Sequence, residues 1–487
     1  MIKYLAYTSG AGGTEMDENE HRDTLDTLDY DSLQEKRTDE LTDLLDSRNM
    51  RTLKQRMEEM NEFDVAEFLS GIQDNRMPMV FRLLSKETAA DVFANFEPPD
   101  QERIINSMTD SELAGIIEEL FVDDAVDMME ELPANVVKRV MRSATPQTRA
   151  LINQYLHYPE DSAGSIMTAE FVDLKKYMSV RESFARIRRI GEDKETIYIC
   201  FVISAHRKLE GIVTVKDLLL ADDDAVIEDL MDRNVIFATT TEDQESVSEK
   251  FSDYDLMALP VVDTEGRLVG IVTVDDIIDV MEQETTEDFE LMAAMTPSDK
   301  PYSRSGIIEI WKNRIPWLMF LMLSATFTSM ILTHFESRLA VQAALIAFIP
   351  TLMGTGGNSG AQSSTAVIRS LSLGDSEPKD ALKVMWKELR VAFLCGLTLA
   401  AVNFVKMLVL DGMIMHNEAI TVSVALTVSL AILFIVIFAK VVGSMLPIGA
   451  EKIGVDPAVM ANPLISTVTD TVSLLIYIFM AKLILHI

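Results

Sequence analysis

After Trp311 the chain changes character. Apolar segments near 315–334, 340–372, 391–411, 421–446 and 459–485 each approach or exceed the roughly 20 residues that a helix needs to cross a hydrocarbon core. Five spans are therefore expected, and charge divides the chain at the same place. From Asn313 on, about 10 acidic and 11 basic side chains nearly cancel, so the formal net charge of −34 over 487 residues resides in the first 312. One half reads as an acidic soluble body, the other as a neutral membrane domain. Such acidity argues against a nucleic-acid partner, which needs clustered Lys and Arg, and suits multivalent cations. Cys200 and Cys395 sit in different halves and imply no disulfide framework.

The opening "MIKYLAYTSGAGG" lacks the basic start and sustained apolar core of a secretory signal, so the soluble half is expected in the cytoplasm. The connection after the second span carries Lys379, Lys383, Lys387 and Arg390; that after the third, "DGMIMHNEAIT", has no Lys or Arg; Lys440 and Lys452 flank the turn after the fourth. The positive-inside rule then puts the N-terminus in the cytosol and the C-terminus outside the cytoplasmic membrane, inner or plasma. An odd number of spans gives the same answer.

Along the chain, residues 1–52 are polar and acidic with little periodicity, an expected loosely ordered tail. Residues 53–156 repeat "FDVAEFLSGI", "TAADVFANF" and "DDAVDMMEELP" at spacings of roughly 25 to 36, which suits stacked short helices. Residues 157–284 hold a duplicated strand, turn, strand and "TVxD" helix start, in "IYICFVISAHRKLEGIVTVKDLL" and "MALPVVDTEGRLVGIVTVDDII". Each copy resembles a CBS domain. An acidic connecting segment, 285–312, leads to the membrane domain, 313–487.

Three features of this sequence invite ion chemistry. Asp275, Asp276, Asp279, Glu282, Glu284, Glu287, Asp288 and Glu290 crowd one helix with no Lys or Arg between them. A solvated acidic helix and a cation-dependent element both fit, and like charges at i,i+3 and i,i+4 favour the second. The second span contains "PTLMGTGGNSGAQSS", with Pro350, Gly354, Gly356, Gly357 and Gly360. Either the glycines permit close helix packing, or Pro350 breaks the helix and frees carbonyls that, with Asn358 and Gln362, hold a hydrated cation. In the last span Asn462, Ser466, Thr469, Asp470 and Ser473 draw a polar stripe. Asp470 is expected about 21 Å along the helix from Asp456, near mid-bilayer. A carboxylate at that depth is either protonated and bonded to another helix or an ion-pathway ligand, and no Lys or Arg lies within a turn of it. One carboxylate holds a divalent ion weakly, so two facing across a dimer axis would be a natural arrangement.

"YPEDSAGSIMT" at 158–168, "LPVVDTEGRLVGIVTVDDIIDVMEQETTEDF" at 259–289, "GTGGNSGAQSS" at 354–364 and "GVDPAVMANPLISTVTD" at 454–470 together resemble the MgtE family of magnesium channels. The resemblance covers the chain from about residue 55 to its end. It implies a multidomain homodimer in the bilayer: a superhelical α-helical N-terminal domain, α/β tandem CBS domains, a connecting plug helix and a five-span α-helical membrane domain. Its implied function is Mg2+ uptake, closed by cytosolic Mg2+ bound between acidic N-terminal, CBS and plug-helix surfaces, with another divalent cation (Co2+, Mn2+) as the alternative cargo. Carried over by position, Asp470 is the pore carboxylate, with Asn462, Gly354, Gly357 and Asn358 as neighbours. Asp255, Asp276, Asp279, Glu284, Glu287, Asp288 and Asp456 are regulatory metal ligands, joined by Asp91, Asp123 and Asp127 in the N-terminal domain. Thr214 with Asp217, and Thr273 with Asp276, match a ribose-holding "TxxD", which implies ATP or another adenine nucleotide and equally fits helix capping. Other CBS-containing transporters lack the span count or the pairing of "GTGGN" with "TVTD". An enzyme is not expected: the six histidines form no ligand cluster, and "GTGGNSG" lacks the Lys of a phosphate loop.

Overall fold

A computed structural model of the chain describes residues 30–72, 76–298, 302, 305–339, 344–460 and 462–486, without the side chains of 30–35, 336–339 and 462. The chain divides into two compact units, Met1–Glu242 with Ala258–Val272, and Asp243–Met257 with Thr273–Ile487.

In the first unit, ten helices precede the first strand among the described residues, from Tyr30–Asp46 to Pro146–Tyr155. The expected loose tail is partly helix: Tyr30–Asp46 buries Leu41 and Leu45 and packs on Met50–Glu58, while residues 1–29 lie outside the described residues. Two leucines four apart suffice to dock one face of an otherwise polar helix, a signal too sparse to stand out against its acidic background. The repeat is tighter than the motif spacing suggests. Helices begin at Glu62, Lys86, Asp110 and Ala134, 24 residues apart, and each packs on the next of this set. Apolar residues at helical spacing, such as Val65, Phe68 and Leu69 or Val136 and Val140, face inward at every stage. Polar ties run between repeats, Arg82 to Glu112 at 2.9 Å and Arg139 to Asp110 at 3.1 Å. Ser85, Thr109 and Thr145 cap helix starts with their hydroxyls.

Two three-stranded sheets follow. Strands β1 (Phe171–Leu174), β2 (Thr196–Ile203) and β3 (Leu209–Thr214) form one sheet in that order; β4 (Ala238–Thr239), β5 (Ala258–Val262) and β6 (Leu268–Thr273) form the other. In the first, β1 runs parallel to β2 and β2 antiparallel to β3; in the second, β4 runs parallel to β5. The duplication is thus real in three dimensions. The β5–β6 turn places Gly266 at φ 74, whereas the β2–β3 turn forces Arg207 to φ 62. Both turns need a left-handed residue, so the unusual "SAHRKLEG" keeps the geometry without the glycine that makes it easy.

The second unit contains helix α1 (Gln244–Tyr254), the acidic helix α2 (Val274–Met292) and five long helices: α3 (Ile307–Leu339), α4 (Ile349–Ser372), α5 (Ala381–Lys406), α6 (Val422–Lys452) and α7 (Asn462–Leu485). Among the described residues, four helical stretches are long and apolar enough to cross a membrane: Ile307–Phe335, Pro378–Ile414, Val422–Lys452 and Pro457–Leu485. α4 spans 24 residues but carries glycines, serines and amides in place of a continuous apolar run, and it packs along both α6 and α7. Its packing, more than its composition, makes it a fifth member of the bundle. The core of this bundle gathers Leu345, Leu352, Val428, Ile432, Ile435 and Tyr477.

Candidate functional site

The expected break in α4 does not exist. Pro350 is the second residue of the helix, where no backbone donor is lost, and the helix continues unbroken to Ser372. The glycines serve close packing. A Cβ on Gly356 would meet Ser473 Oγ at 2.7 Å and Ile435 at 2.9 Å, and one on Gly360 would meet Ile465 at 2.6 Å. Gly357 faces Ser466, whose Oγ would lie 3.3 Å from an added Cβ, while Gly354 opens onto free space. α4 is thereby packed directly against side chains of α7, the helix that carries Asp470.

The polar stripe on α7 divides on folding. Thr469 and Ser473 are buried against neighbouring helices, while Ser466 and Asp470 are half-buried. Asn462 opens the helix, and its side chain lies outside the described residues. The expected distance of Asp470 along the helix also changes. A short 3-10 turn, Pro457–Met460, intervenes after Asp456, so α7 begins at Asn462 and Asp470 stands about 12 Å into a 24-residue helix, a turn short of its middle. Asp456 itself caps that turn, its Oδ1 accepting from the Ala458 amide at 2.6 Å.

On the soluble side the acidic helix meets more acid. Gln244 Nε2 donates to Glu284 Oε1 at 2.7 Å, joining α1 to α2. Glu245, the next residue, faces Glu284, Asp288, Asp243 and Asp456. Much of its side chain reaches solvent, yet lost hydration is the largest cause, followed by those four carboxylates in that order, that pushes its pKa up to about 7. Asp288 is raised likewise, by lost hydration and then by Asp456, against the opposing hydrogen bond from Ser372 Oγ at 3.4 Å and the charge of Arg369. Asp279 is raised by lost hydration and then by Glu282 and Asp275. The end of α2 is seated on the bundle by Leu291 and Met292, packed against Ile368 of α4 and Ala458. Carboxylates from α1, α2 and the turn before α7 therefore lie within electrostatic reach of one another where α2 touches the membrane helices, and among the described residues no three stand close enough together to hold a metal ion as they are.

Glu287 is exposed on α2. Asp255 is exposed at the far end of α1, in the left-handed conformation at φ 50 that ends the helix, about 15 Å along the helix from Glu245. Asp91 faces Glu62, Glu87 and Glu119, and lost hydration, then these charges, raise its pKa. Asp123 and Asp127 belong to the helix Val122–Glu131, Asp123 half-buried and Asp127 exposed. Thr214 and Asp217 form a reciprocal capping box, and Thr273 Oγ1 donates to Asp276 Oδ2 at 2.5 Å. Burial raises the Asp276 pKa, and that hydrogen bond opposes the rise.

Two arrangements escaped the sequence reading. Glu245 and Asp243 look like ordinary residues of a helix start, since Asp243 does cap α1; only the fold brings them against an acidic helix roughly forty positions on. Lys440, taken as a flank of the turn after the fourth span, instead lies inside α6 and is buried, so the positive-inside argument at that turn rests on Lys452 alone.

Known proteins share this organisation. A family profile described as "Divalent cation transporter" (MgtE) matches residues 349–480, one for the "MgtE intracellular N domain" matches 60–161, and CBS domain profiles match 163–224 and 227–283. The chain is 38% identical over 434 residues to a magnesium transporter MgtE of Thermus thermophilus, covering 88% of this chain and 94% of that one. It is 28% identical over 430 residues to a magnesium transporter MgtE of Bacillus subtilis, covering 88% and 93%. The crystal structure of the soluble part of a magnesium transporter covers 52% of this chain and 99% of its own, with a TM-score of 0.50 and 29% identity. The chain belongs to the MgtE family of magnesium transporters.

Proposed function

We propose that the protein is a homodimeric, magnesium-selective channel of the cytoplasmic membrane that mediates Mg2+ uptake and is closed by cytosolic Mg2+. The observation that carries this reading is the convergence of Glu245, Glu284, Asp288 and Asp456 where α2 meets the membrane helices. Without a cation these carboxylates repel one another across α1, α2 and the turn before α7. A divalent ion bridging them would hold α2 against the end of the bundle; its loss would let α2 move away. Asp255, Asp276, Asp279 and Glu287 extend the acidic surface, and Asp91, Asp123 and Asp127 are proposed ligands on the N-terminal repeats. A closed state that binds several more ions is favoured steeply as Mg2+ rises.

In the membrane, Asp470 attracts the ion while Gly354, Gly357 and Asn462 border its path; Mg2+ sheds water reluctantly and passes largely hydrated. The proposed orientation has a cytosolic N-terminus and an external C-terminus. An adenine nucleotide at Thr214 and Asp217, or at Thr273 and Asp276, is a further proposal, supported by their placement at helix starts after β3 and β6. The test is single-channel open probability against cytosolic Mg2+ in a reconstituted bilayer. A decline with rising Mg2+ that is lost on neutralising Glu245, Glu284 and Asp288 together supports the reading, and a wild type indifferent to cytosolic Mg2+ refutes it. Flux of Co2+ or Mn2+ in preference to Mg2+ would favour the other cargo.

A further inference from the structure

Lys440 stands twelve residues before the end of α6, about 18 Å along the helix, and is 5% exposed. Its ammonium donates to Ser363 Oγ of α4 at 3.3 Å, and Ser363 Oγ donates to Glu388 Oε2 of α5 at 2.6 Å. The cation thus reaches a carboxylate through an intervening hydroxyl. In front of it lies a cavity of about 580 Å3 between α4, α5 and α6, whose polar lining is Thr355, Asn358, Ser359, Gln362, Thr398 and Lys440 itself. Leu394, Leu399 and Cys395 supply the rest.

The charge of this lining is one-sided. Each polar side chain can donate a hydrogen bond, one is cationic, and no carboxylate is among them. The hydroxyls and amides can accept as well as donate, but the one fixed charge in the lining is the Lys440 ammonium, and it repels a hydrated Mg2+. A buried ammonium with one neutral partner needs water or a negative charge beside it. We propose that the cavity is an electropositive, water-filled site for a small anion of halide size, held by Lys440 and the amides of Asn358 and Gln362. Asn358 then serves the anion side of α4, and the cation path is confined to the side of α4 where Gly357 faces Ser466.

Cys395 is a native reporter inside the cavity, and the other cysteine, Cys200, is buried in β2 and removable as Cys200→Ser. In the full-length Cys200→Ser protein in detergent, labelling of Cys395 would be followed by mass shift with two small thiosulfonates, one carrying a sulfonate and one a trimethylammonium. Relative to a free thiol, the sulfonate reagent is expected to react at least about tenfold faster, because a fixed charge in a low-dielectric cleft concentrates the opposite ion. Sodium iodide should slow that reaction, and Lys440→Met should abolish the preference. Should Lys440→Met fail to fold, Thr398→Asp places a carboxylate on the opposite wall and should abolish or reverse it. An unreactive Cys395, equal or inverted preference in the parent protein, or no protection by iodide overturns the assignment. Protection by oleate but not iodide would also overturn it, in favour of an amphiphile carboxylate.

Discussion

Gly443 of α6 and Gly360 of α4 stand backbone against backbone: a Cβ on Gly443 would collide with the Gly360 carbonyl. This crossing lies one helical turn from Lys440 and Ser363 and fixes how closely α4 approaches its neighbours. Gly443→Ala should therefore cost about 1 to 3 kcal/mol by overpacking. Gly354→Ala, with nothing within 4 Å of the added carbon, should stay within about 0.5 kcal/mol. Thermal unfolding of both variants in detergent compares them directly.

Permeation should depend on the charge of Asp470 and not on its volume. Both Asp470→Ala and Asp470→Asn are expected to reduce Mg2+ flux into proteoliposomes by more than about tenfold, since the ion gains its attraction from the carboxylate. Near-normal flux through both would remove Asp470 from the path.

Glu245 makes the acidic junction sensitive to pH. Its pKa is about 7 in the folded protein, above the ordinary 4.5, so the folded state holds its proton more tightly than the unfolded state. Metal-free stability should then be greatest below 4.5 and fall as pH rises through 4.5 to about 7, levelling off above. Mg2+ binding, which needs the deprotonated carboxylate, should strengthen over the same window. Hydrogen-exchange protection of α1 and α2 in chelator and in Mg2+, measured across that range, reports both; Glu245→Gln should flatten the two profiles.

Tyr477 is fully buried and donates its hydroxyl to the Leu345 carbonyl at 2.9 Å, tying α7 to the short helix before α4. Tyr477→Phe keeps the packing but leaves that carbonyl without this donor, a loss expected to cost about 1 to 3 kcal/mol in thermal unfolding. Unchanged stability would mean that water or another donor replaces it.

Local chemistry was legible in the chain itself. Apolar runs long enough to span, strand alternation repeated in two copies, helix starts such as "TVxD" and the crowding of eight carboxylates on α2 depend on near neighbours, and near neighbours are what a sequence displays. The order of domains and the identity of Asp470 as the unusual charge of the last span follow from the same local signals. Tertiary structure decided what depends on distant parts of the chain. Pro350 looked like a helix breaker until its place in the first turn made it a helix starter, and the glycines of α4 acquired their purpose only from Ser473, Ile465 and Gly443 on other helices. Lys440 read as the flank of a turn because Ser363 and, beyond it, Glu388 lie 77 and 52 positions away, and Glu245 drew no notice because Glu284 and Asp456 reach it only through the fold. Charge and packing act through space, and the same few ångströms separate residues whatever their distance along the chain.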